Sequence, residues 1–599
     1  MAMRLVAGSR LTLPLADRVV APKTNSITCV QVRARRAIRF CFVWIRRPGC
    51  GVVSARLRLF PMAAFEHALV LLLLTTVLSV IARWLPWPGP ITYVVGASLA
   101  AFWPLFPRIE LAPGFFFLCF VPPLLFADGW LMPLRDFLAA RRPILLLATG
   151  LVVFTTLLVG LVAYWLVPGM PLAMAFALGA VVSPTDAVAV NAITEKLKVP
   201  ARLSAVLNGE SLTNDATGLV AFKFALGAMI AGTFSLRAAA MEFVILALGG
   251  VLVGLATGYL IGRMRDLLRA ARSSDVFIEV TVSLMTPYAA YLAASLLGCS
   301  NILSVVAAGL YSGWRDPLRT DVQTRQTAWA VWAVVLFWLN GLAFVLLGLQ
   351  LPTILATISE KFAPGQLLLF AGAVSAAAII ARLAWIFPGA YLPFLLPVIS
   401  RTEKLPTWQA VLVTGWAGMR GTITLAAALS IPLFQGEGQP FPARDLVIFL
   451  AVSVILVTLL LQGMSLESLI CRLGLKADDT QVQEDRLVRI AAVEAGLKVL
   501  RAAESASAPP EEGAALGEVV AEYEHRLAEL TAEGETRASA QRRRSTARRH
   551  RLEALRAERA AIDRLWRRDV ITDDTHRPLQ QLLDHEEAML LGGSGQNGK

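Results

Sequence analysis

A chain of 599 residues that is 56% hydrophobic and only 17% charged carries too few charges for a soluble surface, where about 25% is ordinary. It reads as an all-α polytopic membrane protein with room for a dozen or more spans of about 20 residues. The net charge of +13 gathers in short loops and both tails, which indicates membrane topology rather than a nucleic-acid surface, and the six cysteines show no C-x-x-C spacing for a metal site or disulfide framework.

Residues 1–61 are rich in Arg and almost free of acid. Their best apolar run, Phe40–Ile45, is bounded by Arg39 and Arg46 and is too short for a signal peptide. The expectation is a basic extension outside the native protein, with translation properly starting at Met62, where a convincing first span begins.

From Met62 thirteen apolar segments follow, at about 63–83, 90–107, 113–130, 143–168, 170–193, 200–232, 238–262, 275–297, 301–314, 327–350, 365–398, 406–433 and 445–470. The third and ninth are short, and the eleventh is long enough to bend at Pro388. Basic residues crowd alternate connections: Arg135, Arg141 and Arg142; Lys196, Lys198 and Arg202; Arg263, Arg265, Arg269 and Arg272; Arg315, Arg319 and Arg325; Arg401 and Lys404. The positive-inside rule makes these cytoplasmic, puts the C-terminal tail inside and Met62 outside. The domain reading is 62–471 for the membrane part and 472–599 for a cytoplasmic helical tail.

Three polar breaks interrupt the apolar sequence. In span 5, Ser183-Pro184-Thr185-Asp186-Ala187 combines a proline with a carboxylate, and Pro184 cannot donate to the helical ladder. Backbone freed at that depth must be satisfied by protein or a cavity, and interrupted helices are where transporters aim carbonyls and helix ends at ions. In span 6, Asn208-Gly209-Glu210-Ser211-Leu212-Thr213-Asn214-Asp215-Ala216-Thr217 places two acids, two amides and three hydroxyls near mid-membrane. One such Asp alone opposes insertion by roughly 2.5–3.5 kcal/mol. In span 12, three glycines surround Arg420 in Gly415–Thr424, and spans 5 and 12 hold corresponding places in two halves of the chain, as inverted repeats would.

Helical spacing divides span 6 into two faces. Ser211 and Asp215 are four apart and can present an oxygen pair to a hard cation. Glu210 and Asn214 share the adjacent face. Glu210 needs a buried cationic partner, with Arg382 of span 11 the foremost candidate and Arg420 a competitor for Glu210 or Asp186. Asn214 is expected to hydrogen-bond the broken span 5. A carboxylate in such a cleft that releases a cation and accepts a proton would couple the two.

These residues resemble the monovalent cation:proton antiporter-1 family, the bacterial and animal sodium/proton exchangers. The matching pieces are Ser183–Val188, Gly209–Asp215, Arg382, Gly418-Met419-Arg420-Gly421 and Gln462-Gly463-Met464, within about residues 62–471. The resemblance implies two inverted repeats with spans 5 and 12 crossing as broken helices, and a homodimer built on spans 1–3 and 8–10. It implies a core of spans 4–6 and 11–13 that moves as an elevator. Asp215 would carry Na⁺ or H⁺, assisted by Ser211 and by the broken backbone near Thr185, with Asp186 nearby. Glu210 and Arg382 would form a structural pair, with Asn214 and Arg420 in support. The Asn214-Asp215 pair resembles electroneutral members. The implied location is the cell membrane, the implied role pH and sodium homeostasis, and no cofactor is implied beyond the transported ions. Many relatives carry an acid where this chain has Ala127; Asp128 comes one residue later, about 100° around a helix, and its alternative reading is a residue at the cytoplasmic end near Arg135.

In the tail, helical spacing is expected over Arg486–Arg501, Gly517–Leu530 and Leu552–Trp566, with a basic run at Arg542–Arg551 suited to a solvated face or to anionic lipid. A K⁺/H⁺ or broad-specificity exchanger is the alternative within transport, and a channel is a weaker one. The Tyr-Asp and Gly-x-Gly-Asp motifs of intramembrane aspartyl proteases are absent, so no enzyme is expected.

Overall fold

The computed structural model describes residues 62–592 except 86, 104–112, 198, 232–235, 396, 398–404, 436–438, 476–478, 506–509, 533 and 569. The basic stretch 1–61 and the loop residues Lys198, Arg401 and Lys404 lie outside the described residues.

The described chain is almost entirely helical. It runs through α1 (Met62–Ala82), α2 (Gly89–Ala101), α3 (Pro113–Leu131), the short α4 (Leu134–Ala139) and α5 (Arg141–Leu166). Next come α6 (Leu172–Val182), α7 (Ala187–Leu197), α8 (Ala201–Ala231), α9 (Leu236–Ala270), α10 (Val276–Leu296), α11 (Asn301–Arg319), α12 (Val322–Ser359) and α13 (Pro364–Tyr391). The membrane part closes with α14 (Trp408–Trp416), α15 (Thr422–Leu429) and α16 (Arg444–Leu473). Strands β1 (Phe434–Gln435) and β2 (Gln439–Pro440) pair antiparallel between α15 and α16.

Among the described residues six helices are long and apolar enough to cross a bilayer: Arg141–Leu166, Val244–Ala270, Val276–Leu296, Val322–Ser359, Pro364–Leu395 and Arg444–Leu473. The chain is a multi-pass membrane protein. Burial ranks these helices: the apolar window of α16 is 61% buried inside the protein, that of α9 only 17%. Helix α16 is therefore central and α9 faces outward.

Two apolar segments that read as single spans are each two helices. Span 5 divides into α6 and α7 around Ser183–Asp186, and span 12 divides into α14 and α15 around Ala417–Gly421. Pro184 supplies the first interruption and the glycine pair Gly418 and Gly421 the second. Pro388, by contrast, does not end its helix: α13 runs through it to Tyr391 and finishes in a 3₁₀ turn, Leu392–Leu395.

Several basic residues expected in loops are helical instead. Helix α9 continues past its apolar run through Arg263, Arg265 and Arg269, and α11 continues through Arg315 and Arg319. The reason is electrostatic. Glu279 at the start of α10 receives Arg265 at 2.9 Å and Arg269 at 2.5 Å, Arg265 also reaches Asp316 at 2.9 Å, and Asp266 holds both Arg315 and, at 2.8 Å, Arg319. Charges that satisfy one another let the helices extend beyond the hydrocarbon. Asp275, Ser300 and Asp321 cap the starts of α10, α11 and α12 by accepting N–H groups three residues on.

The tail forms helices α17 (Asp479–Ser505), α18 (Pro510–Thr531), α19 (Gly534–Arg567) and α20 (Asp573–Gly592), packed as α17 on α18 and α19 on α20. They are longer than their apolar spacing indicates, and α20 has no counterpart in the sequence reading. Its pairing with α19 explains it: Arg559 reaches Asp584 and Glu587, each at 2.6 Å, and Asp563 accepts from the His576 ring at 3.0 Å.

Candidate functional site

The two helix breaks meet. The Asp186 N–H donates to the Met419 carbonyl at 2.7 Å, so backbone groups freed from one ladder satisfy those freed from the other. Helix α8 passes beside this junction. At Gly218 an added Cβ would lie 2.6 Å from the Pro184 ring, so the bare glycine is what lets α8 approach the break.

Helix α8 ties down the span 5 break with three side chains. Ser211 donates to the Thr185 carbonyl at 2.8 Å, Asn214 donates to the Thr185 hydroxyl at 2.8 Å, and that hydroxyl lies 3.4 Å from a Glu210 oxygen. Glu210, Ser211, Asn214, Asp215 and Thr185 are all buried. The two faces of α8 are thus less separate than spacing suggests, because Ser211 and Asn214 both hold Thr185. The Asn214 side-chain oxygen is buried and has no hydrogen-bond partner among the described residues.

Arg382, not Arg420, takes Glu210. Both terminal nitrogens of Arg382 reach the carboxylate, one at 2.9 Å, and each side chain is about 1% exposed. The same guanidinium donates to the Thr414 and Gly415 carbonyls at 2.8 and 3.1 Å. Arg420 bonds backbone: its Nε donates to Val182 O at 2.9 Å, and a terminal nitrogen donates to Gly418 O. The two arginines play parallel parts. Thr414 and Gly415 end α14, and Val182 ends α6, so each guanidinium sits at the carbonyl end of one half-helix, where a cation complements the dipole.

The Asp186 carboxylate presses on Gly421, the residue preceding α15, where any Cβ would collide with it. A carboxylate at a helix start is favourably placed. Between the breaks lies a gap with no room for a water-sized sphere, lined by Thr185, Asp186, Glu210, Ser211, Arg382 and Ala417 with Val190 and Leu207.

Asp215 differs from Glu210 in one decisive respect. It is 3% exposed and accepts no hydrogen bond from any described residue, and its charged neighbours are the carboxylates Asp128, Asp186 and Glu210. Asp128 lies in the last turn of α3 and is within electrostatic reach of Asp186 and Asp215. Packing of α3 on α11 sets its rotation, which counting from Ala127 could not supply. Among the described residues no three of these acids converge closely enough to hold a resident metal.

Two participants went unread in the sequence. Thr458 of α16 accepts the Arg420 N–H at 3.3 Å, and Asn340 of α12 accepts from the Thr422 hydroxyl at 3.2 Å. Asn340 had a signal, a lone amide within the apolar stretch Val331–Leu349.

A model of the transmembrane sodium/hydrogen exchanger family matches residues 69–471. A sodium, potassium, lithium and rubidium/H⁺ antiporter of Bacillus pumilus is 40% identical over 414 residues, which cover 68% of this chain and 61% of the relative. An uncharacterized Na⁺/H⁺ exchanger of Escherichia coli, YjcE, is 35% identical over 554 residues, covering 88% of this chain and 99% of that one. The solved structure of the sodium proton antiporter MjNhaP1 from Methanocaldococcus jannaschii shares the fold, with a TM-score of 0.54 at 20% identity over 69% of this chain and 98% of that one.

Proposed function

The chain belongs to the sodium/hydrogen exchanger family, and from that membership we propose that it exchanges a monovalent cation, Na⁺ foremost, for H⁺ across the cell membrane. One observation carries the proposal: of two buried acids five residues apart in α8, Glu210 is saturated by Arg382 and Asp215 has no cationic partner among the described residues. A carboxylate at membrane depth is not left charged and alone. It holds either a cation or a proton, and that choice is the exchange.

In this reading Asp215 carries the ion. Ser211 and the Thr185 carbonyl lend oxygens to the bound Na⁺, and Asp186 adds negative charge nearby. Glu210 with Arg382, Asn214 and Arg420 hold the two breaks in register. Asp215 follows Asn214 rather than a second acid, which favours one cation for one proton and hence electroneutral exchange in pH and sodium homeostasis. The breaks in spans 5 and 12 are the crossed elements of two inverted repeats. The core of spans 4–6 and 11–13 slides as an elevator against a dimeric frame of spans 1–3 and 8–10. Residues 62–471 form the transport domain and 472–599 a cytoplasmic tail, whose 542–551 basic run contacts anionic lipid.

The Bacillus pumilus relative is named for four cations, which favours a second reading: broad specificity that includes K⁺. Both readings meet one test. Protein in proteoliposomes with an imposed proton gradient should relieve quenching of a pH-sensitive dye on addition of Na⁺, K⁺, Li⁺ or Rb⁺, and Asp215→Ala should abolish the response. No response to any cation, or full exchange by Asp215→Ala, would reject the assignment.

A further inference from the structure

Gln462 is completely buried in α16, and neither its amide oxygen nor its amide nitrogen has a hydrogen-bond partner among the described residues. A buried amide with nothing to bond is unfavourable, whereas an apolar side chain of the same length is not. The residues around it, Thr458-Leu459-Leu460-Leu461 before and Gly463-Met464 after, are otherwise almost wholly apolar.

Its surroundings are specific. One turn earlier, Thr458 accepts the Arg420 N–H, and three residues later Ser465 accepts from Trp416 Nε1 at 2.8 Å. Adjacent Gly463 has its Cβ position 3.6 Å from Met419 Sδ and 3.1 Å from the Pro88 ring. At this level α16 lies between the span 12 break and the start of α2. Helix α2 begins after Pro88 with no side-chain cap; Pro90 has no N–H and the Ile91 N–H donates to the Pro88 carbonyl at 3.1 Å, which leaves the Gly89 N–H as the first-turn donor without a side-chain acceptor.

Resting on the antiporter reading, in which α16 moves and α2 stands still, we propose that Gln462 is a positioning residue for the movement of the carrier. Its amide is unpaired in the state seen here and pairs with the first turn of α2 when the core has slid. The missing bonds raise this state relative to the next one, so the side chain biases the two-state equilibrium that transport must cross. The bare Gly463 is the smooth contact against Pro88 that such sliding needs.

The test compares full-length wild type with Gln462→Met, which keeps length and removes both hydrogen-bonding groups. Maximal exchange at saturating Na⁺ in proteoliposomes should fall about tenfold, a change of about 1.4 kcal/mol in the barrier, while the melting midpoint in detergent does not fall. Wild-type exchange by the variant would overturn the proposal, because the amide would then be idle. A lowered midpoint, or failure to fold, would also overturn it, because the amide would then be satisfied in this state, a bound water included. If the wild type itself shows no exchange in the same assay, the antiporter reading fails and this proposal falls with it.

Discussion

Arg382 and Glu210 face each other across α13 and α8 as a two-pronged ion pair with each side chain about 1% exposed. The guanidinium that neutralises Glu210 also closes the end of α14, so one side chain links the span 12 break to α8, a helix that has no break. Removing one partner leaves the other buried and uncompensated. Glu210→Ala is expected to destabilise the protein by about 3–5 kcal/mol. Adding Arg382→Met should recover part of that loss. Melting midpoints of the purified variants measure both effects, and an unchanged midpoint for Glu210→Ala would show that the pair does not hold the fold.

Gly421 is where a single methyl group should matter most. In Gly421→Ala the Cβ would occupy the space of the Asp186 carboxylate, so either the carboxylate or the start of α15 must move. Overpacking of this kind costs about 1–3 kcal/mol. Exchange should drop sharply along with stability. Gly227→Ala is the control, since its Cβ meets nothing within 4 Å, and it should leave both unchanged.

Asp128 stands with Asp186 and Asp215 in a group of like charges that attracts a cation. Asp128→Asn removes one of those charges without removing the carrier. The half-saturating Na⁺ concentration is expected to rise several-fold with the melting midpoint nearly unchanged. The exposed Asp136→Asn should do neither, and equal effects from the two would refute a local role for Asp128.

The α19–α20 hairpin should loosen in acid. Hydrogen bonds from the His576 ring and from Gln580 hold the Asp563 carboxyl below its ordinary value of 3.8. A depressed carboxyl stabilises the folded form above its unfolded value and loses that contribution as pH falls through the folded value. Deuterium exchange of backbone amides in 555–590 should therefore accelerate below about pH 4 beyond the intrinsic rate. Asp563→Asn should exchange faster at neutral pH and lose that acid dependence; an unchanged profile would remove Asp563 from the account.

The apolar segments, the two interrupted spans and the polar string in α8 were all legible in the sequence. The membrane requires near-continuous apolar runs, so any proline, glycine cluster or carboxylate inside one stands out against a uniform background. Local spacing also put Asn214 within reach of span 5. Partners separated by more than a hundred residues were not decided in this way. Arg382 was the foremost candidate for Glu210 and Arg420 its competitor, and only packing decided between them by placing one at the end of α14 and the other at the end of α6. The position of Asp128 depends on how α3 rotates against α11, and the bare amide of Gln462 is visible only once its neighbours are known. Sequence by itself determined which groups are too polar for their depth; tertiary packing decided which of them are neutralised, because pairing depends on distances between helices that no spacing along one helix contains.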